Sequence, residues 1–408
     1  DMARDEGSPP KVYPSHMGGY RLIEQIGLGS QACVYRADCP SVKEDVAIKM
    51  IDLEKFDTNI ESVTSEIKTL ALCSSGNICK YHVSFVHGHQ LWLVMQYMAL
   101  GSCLDIMRAS FPTGMEESHV CTILREVLKG LDYLHKNDMM HRNIKAGNIL
   151  VNSAGEVKLA DFGLTTELID GGSREQKQTF VGNPHWLAPE VLEQAGGDDA
   201  KADIWSFGIM ALELIRGRVP NHGLPPLKVY MNILQKDPAT LLEEENATFS
   251  KGFKDVVSMC LQKDPSSRPT ASKLLENKFF KQSAVRMDQL SGILVRELSK
   301  VGETIGTRFR KLISDRAKVL EEGATKDDDQ LFPRWSFEAE EEVVPRDPLA
   351  AIRPVENPTP RPSEPFQLPN DLLQGEVEGT EKGNATEGGV GVMGATAAEA
   401  ERGEGVSE

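Results

Sequence analysis

The chain is 408 residues long, more than one ordinary domain, and carries a formal net charge of −16, most of it after residue 282. That balance disfavours nucleic acid as the main partner, because neutralising phosphates takes clustered Lys and Arg. Seven cysteines without C-x-x-C spacing argue against a zinc site or a disulfide framework, and no apolar run is long enough to span a bilayer.

Residues 1–19 are polar with Pro and Gly, have no signal-peptide core, and are expected to form a disordered lead-in. A cytoplasmic protein is expected, with the nucleus as the alternative and no membrane partner. From Tyr20 the runs YRLIEQIG, ACVYRAD, DVAIKMID, YHVSFVHG and QLWLVMQYM have strand length and strand composition. Between the third and fourth, NIESVTSEIKTLALC places Ile60, Val63, Ile67 and Leu70 at helical spacing. A small α+β lobe over 20–97 follows.

After MALGS the chain turns helical. HVCTILREVLKGLDYLHKN, ADIWSFGIMALELIRG and FKDVVSMCLQ predict a larger, mainly helical lobe over 98–280. Leu290, Leu294, Leu298, Val301, Ile305, Phe309, Leu312 and Leu320 recur mostly at three- to four-residue steps. They predict an amphipathic helix within 281–322, either packed on the larger lobe or docking a partner, although Gly292, Gly302 and Gly306 weaken it. Residues 323–408 are rich in Pro, Glu and Gly and are expected to be a disordered tail, since they cannot offset their ordering entropy by burial.

Several motifs carry chemistry. In IGLGSQACV, Gly27 and Gly29 would let backbone amides approach phosphates, while Ile26 and Val34 would sandwich a flat base. Alone this is more often an ordinary hairpin, and Ala32 stands where G-x-G-x-x-G has its third glycine. VAIK then puts Lys49 on a strand, where its ammonium can pair with phosphates, and Glu66 on the next helix could orient it. HRNIKAGNIL supplies His141, Arg142, Asn143, Lys145 and Asn148, and KLADFG supplies Asp161. Asn148 and Asp161 are the hard oxygen ligands that a magnesium–nucleotide complex requires. LAPE, DIWSFG and DPSSRPT follow, with Glu190 and Arg268 as candidates for a buried ion pair.

In this order the motifs resemble the signature set of the eukaryotic protein kinase domain over residues 20–280. HKNDMMHRNIKAGNIL, KADIWSFGI, LQKDP and TFVGNPHWLAPEVLEQ are similar to the Ste20 group. They most resemble its germinal-centre branch, which includes the oxidative-stress-responsive and SPAK kinases. The resemblance implies a bilobal fold with ATP and Mg2+ in the interlobe cleft. It also implies Met95 as gatekeeper, Gln96 to Met98 as the adenine-bonding hinge, and Ala47 and Leu150 beside the base.

Two departures touch catalysis. The family's catalytic-loop Asp is replaced by Asn143, and the Thr of its GTP-x-W sequence by Asn183. In active Ste20-like kinases that Thr hydroxyl bonds both the catalytic Asp and the lysine represented here by Lys145. The expectation is a pseudokinase or very weak kinase that still binds ATP and Mg2+; the alternative is an active serine/threonine kinase acting on protein substrates. Thr179 resembles the activation-loop Thr that upstream with-no-lysine kinases phosphorylate, and Ser314 a second regulatory serine. Trp335 and Phe337, in FPRWSFEAEEE, are similar to the tail motif that engages the Mo25-type helical-repeat scaffold, with a local contact to the kinase lobe as the alternative.

Overall fold

Alternating β-branched and apolar residues build the small lobe from five strands. These are β1 (Arg21–Leu28), β2 (Ala32–Cys39), β3 (Glu44–Asp52), β4 (Tyr81–His87) and β5 (Gln90–Gln96). All neighbours pair antiparallel, in the order β1-β2-β3-β5-β4. Because side chains alternate faces, β3 sends Val46, Ile48 and Met50 into a core with Phe85, Trp92 and Val94. Its other face carries Ala47, Lys49 and Ile51, the last packed with Ile67, Leu91 and Leu93.

The computed structural model describes residues 11–28, 32–54, 67–68, 70–161, 184–193, 200–241, 249–302, 306–308 and 311. Residues 1–10, the expected helix positions Ile60 and Val63, the expected site residues Gly29, Glu66, Thr179, Asn183, Ser314, Trp335 and Phe337, and the tail over 323–408 lie outside them. Residues 11–19, read from composition as lead-in, lie against the small lobe. Tyr13 stacks on His82 with ring centroids 3.9 Å apart and donates its hydroxyl to Glu44 at 3.2 Å. The Tyr20 hydroxyl donates to the Pro14 carbonyl at 2.6 Å. The Tyr13 contacts are distant in sequence, and a local polarity average does not register them.

The larger lobe is helical. It comprises α1 (Cys103–Ser110), α2 (Glu117–Lys136), α3 (Pro189–Leu192), α4 (Ala200–Arg216), α5 (Pro226–Gln235), α6 (Lys251–Cys260), α7 (Ala271–Leu275) and α8 (Lys278–Gln282). A capping box between Ser102 and Asp105 starts α1. α4 is buried on nearly every side from Asp203 to Ile215, as befits a helix apolar all round. β6 (Gly101–Ser102), just past the sequence junction of the lobes, pairs with β7 (Ile149–Val151) in a small antiparallel sheet completed by β8 (Val157–Leu159).

Glu190 and Arg268 form the ion pair, with guanidinium-to-carboxylate distances of 2.6 and 2.8 Å. Arg268 also donates to the carbonyls of Gln262, Lys201 and Lys263, so all five of its donors are engaged while its side chain is 0% exposed.

The extension past residue 281 forms α9 (Met287–Val301). Leu290, Leu294 and Leu298, one turn apart, are buried against the larger lobe. The helix is shorter than the leucine pattern suggests, because Gly302 takes the left-handed conformation (φ 68°) and caps it. Ile305, Phe309, Leu312 and Leu320 lie outside the described residues. Among those described, no helix is long and apolar enough to cross a membrane, and all seven cysteines are free thiols.

Breaking the buried pair leaves a charge and several carbonyls unsatisfied. Arg268→Ala should therefore lower the unfolding free energy by about 3–5 kcal/mol in a urea titration. Glu190→Gln, which keeps a hydrogen-bond acceptor, should lose distinctly less.

Candidate functional site

The β1–β2 hairpin carries the small-lobe residues expected to line the interlobe cleft. Gly27 lies opposite Val34, and a Cβ on it would press on that side chain at 3.3 Å. Ile26 and Val34 are partly exposed, as residues facing an open cleft are. At the back, buried Ala47 of β3 pairs with Met95 of β5, and Lys49 pairs with Val34 and Leu93. Gln96 ends β5, Met98 is buried, and Leu100 donates its amide to Val151 at 3.0 Å. Leu150, partly exposed on β7, belongs to the floor.

Lys49 and Asp161 meet inside the cleft, Nζ to Oδ1 at 2.6 Å. Asp161 has φ 56°, a left-handed conformation that non-glycine residues adopt mainly where surroundings impose it. Burial would raise its carboxyl, but the charge and hydrogen bond of Lys49, with Lys145 and His141, hold it below the usual carboxylate range. The side chain is still 42% exposed toward the cleft.

Asn148 ends a 3-10 turn, Ala146–Asn148. Its Nδ2 donates to the Asn143 carbonyl at 2.7 Å, and its own carbonyl accepts from Ala160 at 2.9 Å. With the amide nitrogen engaged, Oδ1 is the atom left to ligate, and Asp161 keeps an oxygen beyond its ion pair. These oxygens fit Mg2+, which takes one or two protein ligands with phosphates and waters. Among the described residues, no cluster of three or more His, Cys, Asp or Glu offers another metal cage.

Asp203, in the first turn of α4 and 2% exposed, holds the loop before Asn148. It accepts the amides of His141 at 2.8 Å and Arg142 at 2.7 Å, and pairs with His135 Nε2 at 2.9 Å. The clamp fixes Arg142 at φ 62°. Burial pushes His141 down to about 4, so its neutral ring accepts the Asn143 amide through Nδ1 at 3.3 Å. The Asn143 side-chain nitrogen is buried and has no hydrogen-bond partner among the described residues.

Lys145 is also buried. Desolvation pushes its ammonium down to about 8, with Asp161 and Glu213 opposing and Lys49 reinforcing. Glu213, further along α4, accepts from the Ala146 amide at 2.9 Å and from Trp186 Nε1 at 3.0 Å. Burial outweighs these bonds and pushes its carboxyl up to about 7.

The structure thus brings Lys49, Asp161, Lys145, Asn148 and Asn143 together, with Ile26, Gly27, Val34, Ala47, Met95, Gln96, Met98 and Leu150 placed around the cleft. The supporting roles of Asp203, Glu213 and Trp186 are not among the sequence expectations. Their signal was present: ADIWSFGIMALELIRG sets two acids in an otherwise apolar helix, and buried charges have to be paired.

Residues 20–280 match the protein kinase domain. The chain is 46% identical over 313 residues to the serine/threonine-protein kinase fray2 of Dictyostelium discoideum, covering 76% of this chain and 30% of that protein. It is 40% identical over 350 residues to germinal center kinase 3 of Caenorhabditis elegans, covering 81% of this chain and 57% of that one. Serine/threonine-protein kinase ppk11 of Schizosaccharomyces pombe is 43% identical over 263 residues, covering 64% of this chain and 82% of its own. The chain therefore spans under two thirds of the length of the first two.

The raised Glu213 carboxyl gives a signed pH dependence. The folded state binds this proton more tightly than the unfolded chain, so rising pH between about 4.5 and about 7 removes stability. Thermal melts should show wild type losing ground to Glu213→Gln across that window, with the difference levelling above it.

Proposed function

The chain belongs to the protein kinase family, in the germinal-centre branch of the Ste20 group, and on that premise we propose a nucleotide-binding signalling module. Its cleft takes ATP with magnesium, and its phosphoryl transfer is severely weakened. Magnesium-bound ATP supplies the transferable phosphoryl group and neutralising charge when bound. Lys49 pairs with phosphate oxygens, Asn148 and Asp161 hold the metal, and Gln96 to Met98 meet the base through backbone groups.

One observation carries the catalytic half: the side-chain nitrogen of Asn143 is buried and has no hydrogen-bond partner among the described residues. The position where the family has a proton-accepting carboxylate thus presents a donor. An amide can orient a hydroxyl but cannot take its proton at physiological pH. Losing a positioned general base typically costs on the order of 10²–10⁴ in rate. Asn183 stands in the sequence where the family has the Thr whose hydroxyl bonds its catalytic Asp, and the loss of that hydroxyl supports this reading.

The second reading is an active serine/threonine kinase, favoured by the buried Lys145 beside Asp161, a lysine found in loops directed at Ser and Thr. For regulation, Thr179 is the proposed target of a with-no-lysine kinase, and Ser314 a second phosphorylation site. Trp335 and Phe337 are proposed to engage a Mo25-type scaffold.

Mg–ATP should raise the melting temperature of wild type, and Lys49→Met should remove most of that shift. Asn143→Asp, alone or with Asn183→Thr, should raise radiolabel transfer to a generic substrate by about 10²–10⁴. Ordinary turnover by wild type would overturn the weakened-catalyst reading. Deleting residues 330–345 should abolish capture on immobilised Mo25-type scaffold; undiminished capture would remove that partner.

A further inference from the structure

The chain beyond the kinase domain returns to the cleft. α9 is anchored on the larger lobe by Leu290, Leu294 and Leu298. Ser291 also donates its hydroxyl to the Ser153 carbonyl at 2.7 Å, in the turn between β7 and β8. Past the Gly302 cap, Gly306 lies on β1, where a Cβ would overlap the Glu24 carboxylate. Glu24 is two residues before Ile26 on that strand.

Arg308 reaches the hinge. Its Nη2 lies 3.5 Å from the Leu100 carbonyl oxygen, and its charge bears on Tyr97, between Gln96 and Met98. The Arg36 guanidinium stands 5.3 Å from the centre of the Tyr97 ring and pairs with Glu24 at 3.4 Å and Asp45 at 2.7 Å. Two guanidiniums, two carboxylates and a phenol therefore gather β1, β2, β3, the hinge and the extension at one place. Nε and Nη1 of Arg308 are buried and have no hydrogen-bond partner among the described residues.

We propose that residues 306–308 are a second connection between the lobes, and that Gly306 and Arg308 are positioning residues for the nucleotide cleft. They act through Glu24 and Tyr97, and the assignment rests on the nucleotide-binding reading above. Ile26 and Val34 of one lobe and Leu150 of the other are the residues that would hold the base. Its affinity contains the free energy of holding the lobes at that separation. A strap anchored on both lobes supplies part of that ordering before the ligand arrives, which raises the fraction of competent molecules.

The test uses the full chain with Arg308→Ala, Gly306→Val and, as the conservative control, Arg308→Lys. Hydrogen exchange along β1 and residues 97–100 reads the lobe connection, and titration with a fluorescent ATP analogue plus Mg2+ reads the cleft. Arg308→Ala and Gly306→Val should speed exchange at both segments and weaken nucleotide affinity about threefold to tenfold. The melting temperature of the nucleotide-free protein should be nearly unchanged, and Arg308→Lys should recover most of the affinity. A purely structural role would lower the melting temperature and spare affinity. Unchanged exchange and unchanged affinity in Arg308→Ala would overturn the proposal, and that variant serves if Gly306→Val does not fold. Absence of nucleotide binding by wild type would sink the nucleotide reading, while the exchange arm would still decide the connection between lobes.

Discussion

The site depends on one buried carboxylate. Asp203 sits in the first turn of α4, where the helix end favours negative charge, and takes the amides of His141 and Arg142 together with the His135 ring. Burial alone would raise its pKa, but the hydrogen bond and charge of His135, with His141, keep it low and the group ionised. Ten residues on, about 15 Å along the same helix, Glu213 takes the Ala146 amide and the Trp186 indole. An almost wholly apolar helix thus holds both ends of the loop 141–146. From there the order passes on: Asn148 secures the Asn143 carbonyl, Ala160 secures the Asn148 carbonyl, and Asp161 follows in the chain.

This frame decides what the exchange at position 143 changes. Asn and Asp are nearly isosteric, and the backbone of Asn143 is held by His141 Nδ1 on one side and Asn148 on the other. The substitution therefore alters chemistry at a position whose geometry is set by other residues. The ion pair between Lys49 and Asp161 and the free oxygen of Asn148 involve no atom of the Asn143 side chain. Nucleotide capture and proton removal draw on separate groups, so one can weaken while the other persists.

How much of this the sequence revealed follows from the range of the interactions. Strands and the buried stripe of α9 are written in local spacing, and the structure forms them accordingly, while Lys49 and Asp161, read from separate motifs, meet as an ion pair. Glu190 and Arg268, far apart in the chain, were legible because an acid and a guanidinium stood in fixed motifs. Asp203 and Glu213 were visible as acids in an apolar helix, but what they bind is a set of backbone amides, and every residue has those. The packing of Tyr13 on His82 and of Gly306 on Glu24 left no pattern at all. A glycine reads as a helix breaker in sequence; only the fold makes Gly306 the position where two segments touch.

The electrostatics of the cleft lead to the same division of labour. Lys49 and Lys145 both act on Asp161, and with an amide at 143 no second carboxylate from that loop position offsets them. Restoring an acid there would bring a like charge toward any phosphate held by Lys49, a repulsion that transfer chemistry tolerates because the same acid removes the substrate proton. Without that task the repulsion has no return. On the proposed reading, a neutral amide in place of an acid instead favours an anion that stays, and lobes joined at both the hinge and residues 306–308 favour a cleft already shaped to hold it. On the proposed function, a protein that signals by its nucleotide-bound shape needs long occupancy more than turnover, and both features would lengthen occupancy.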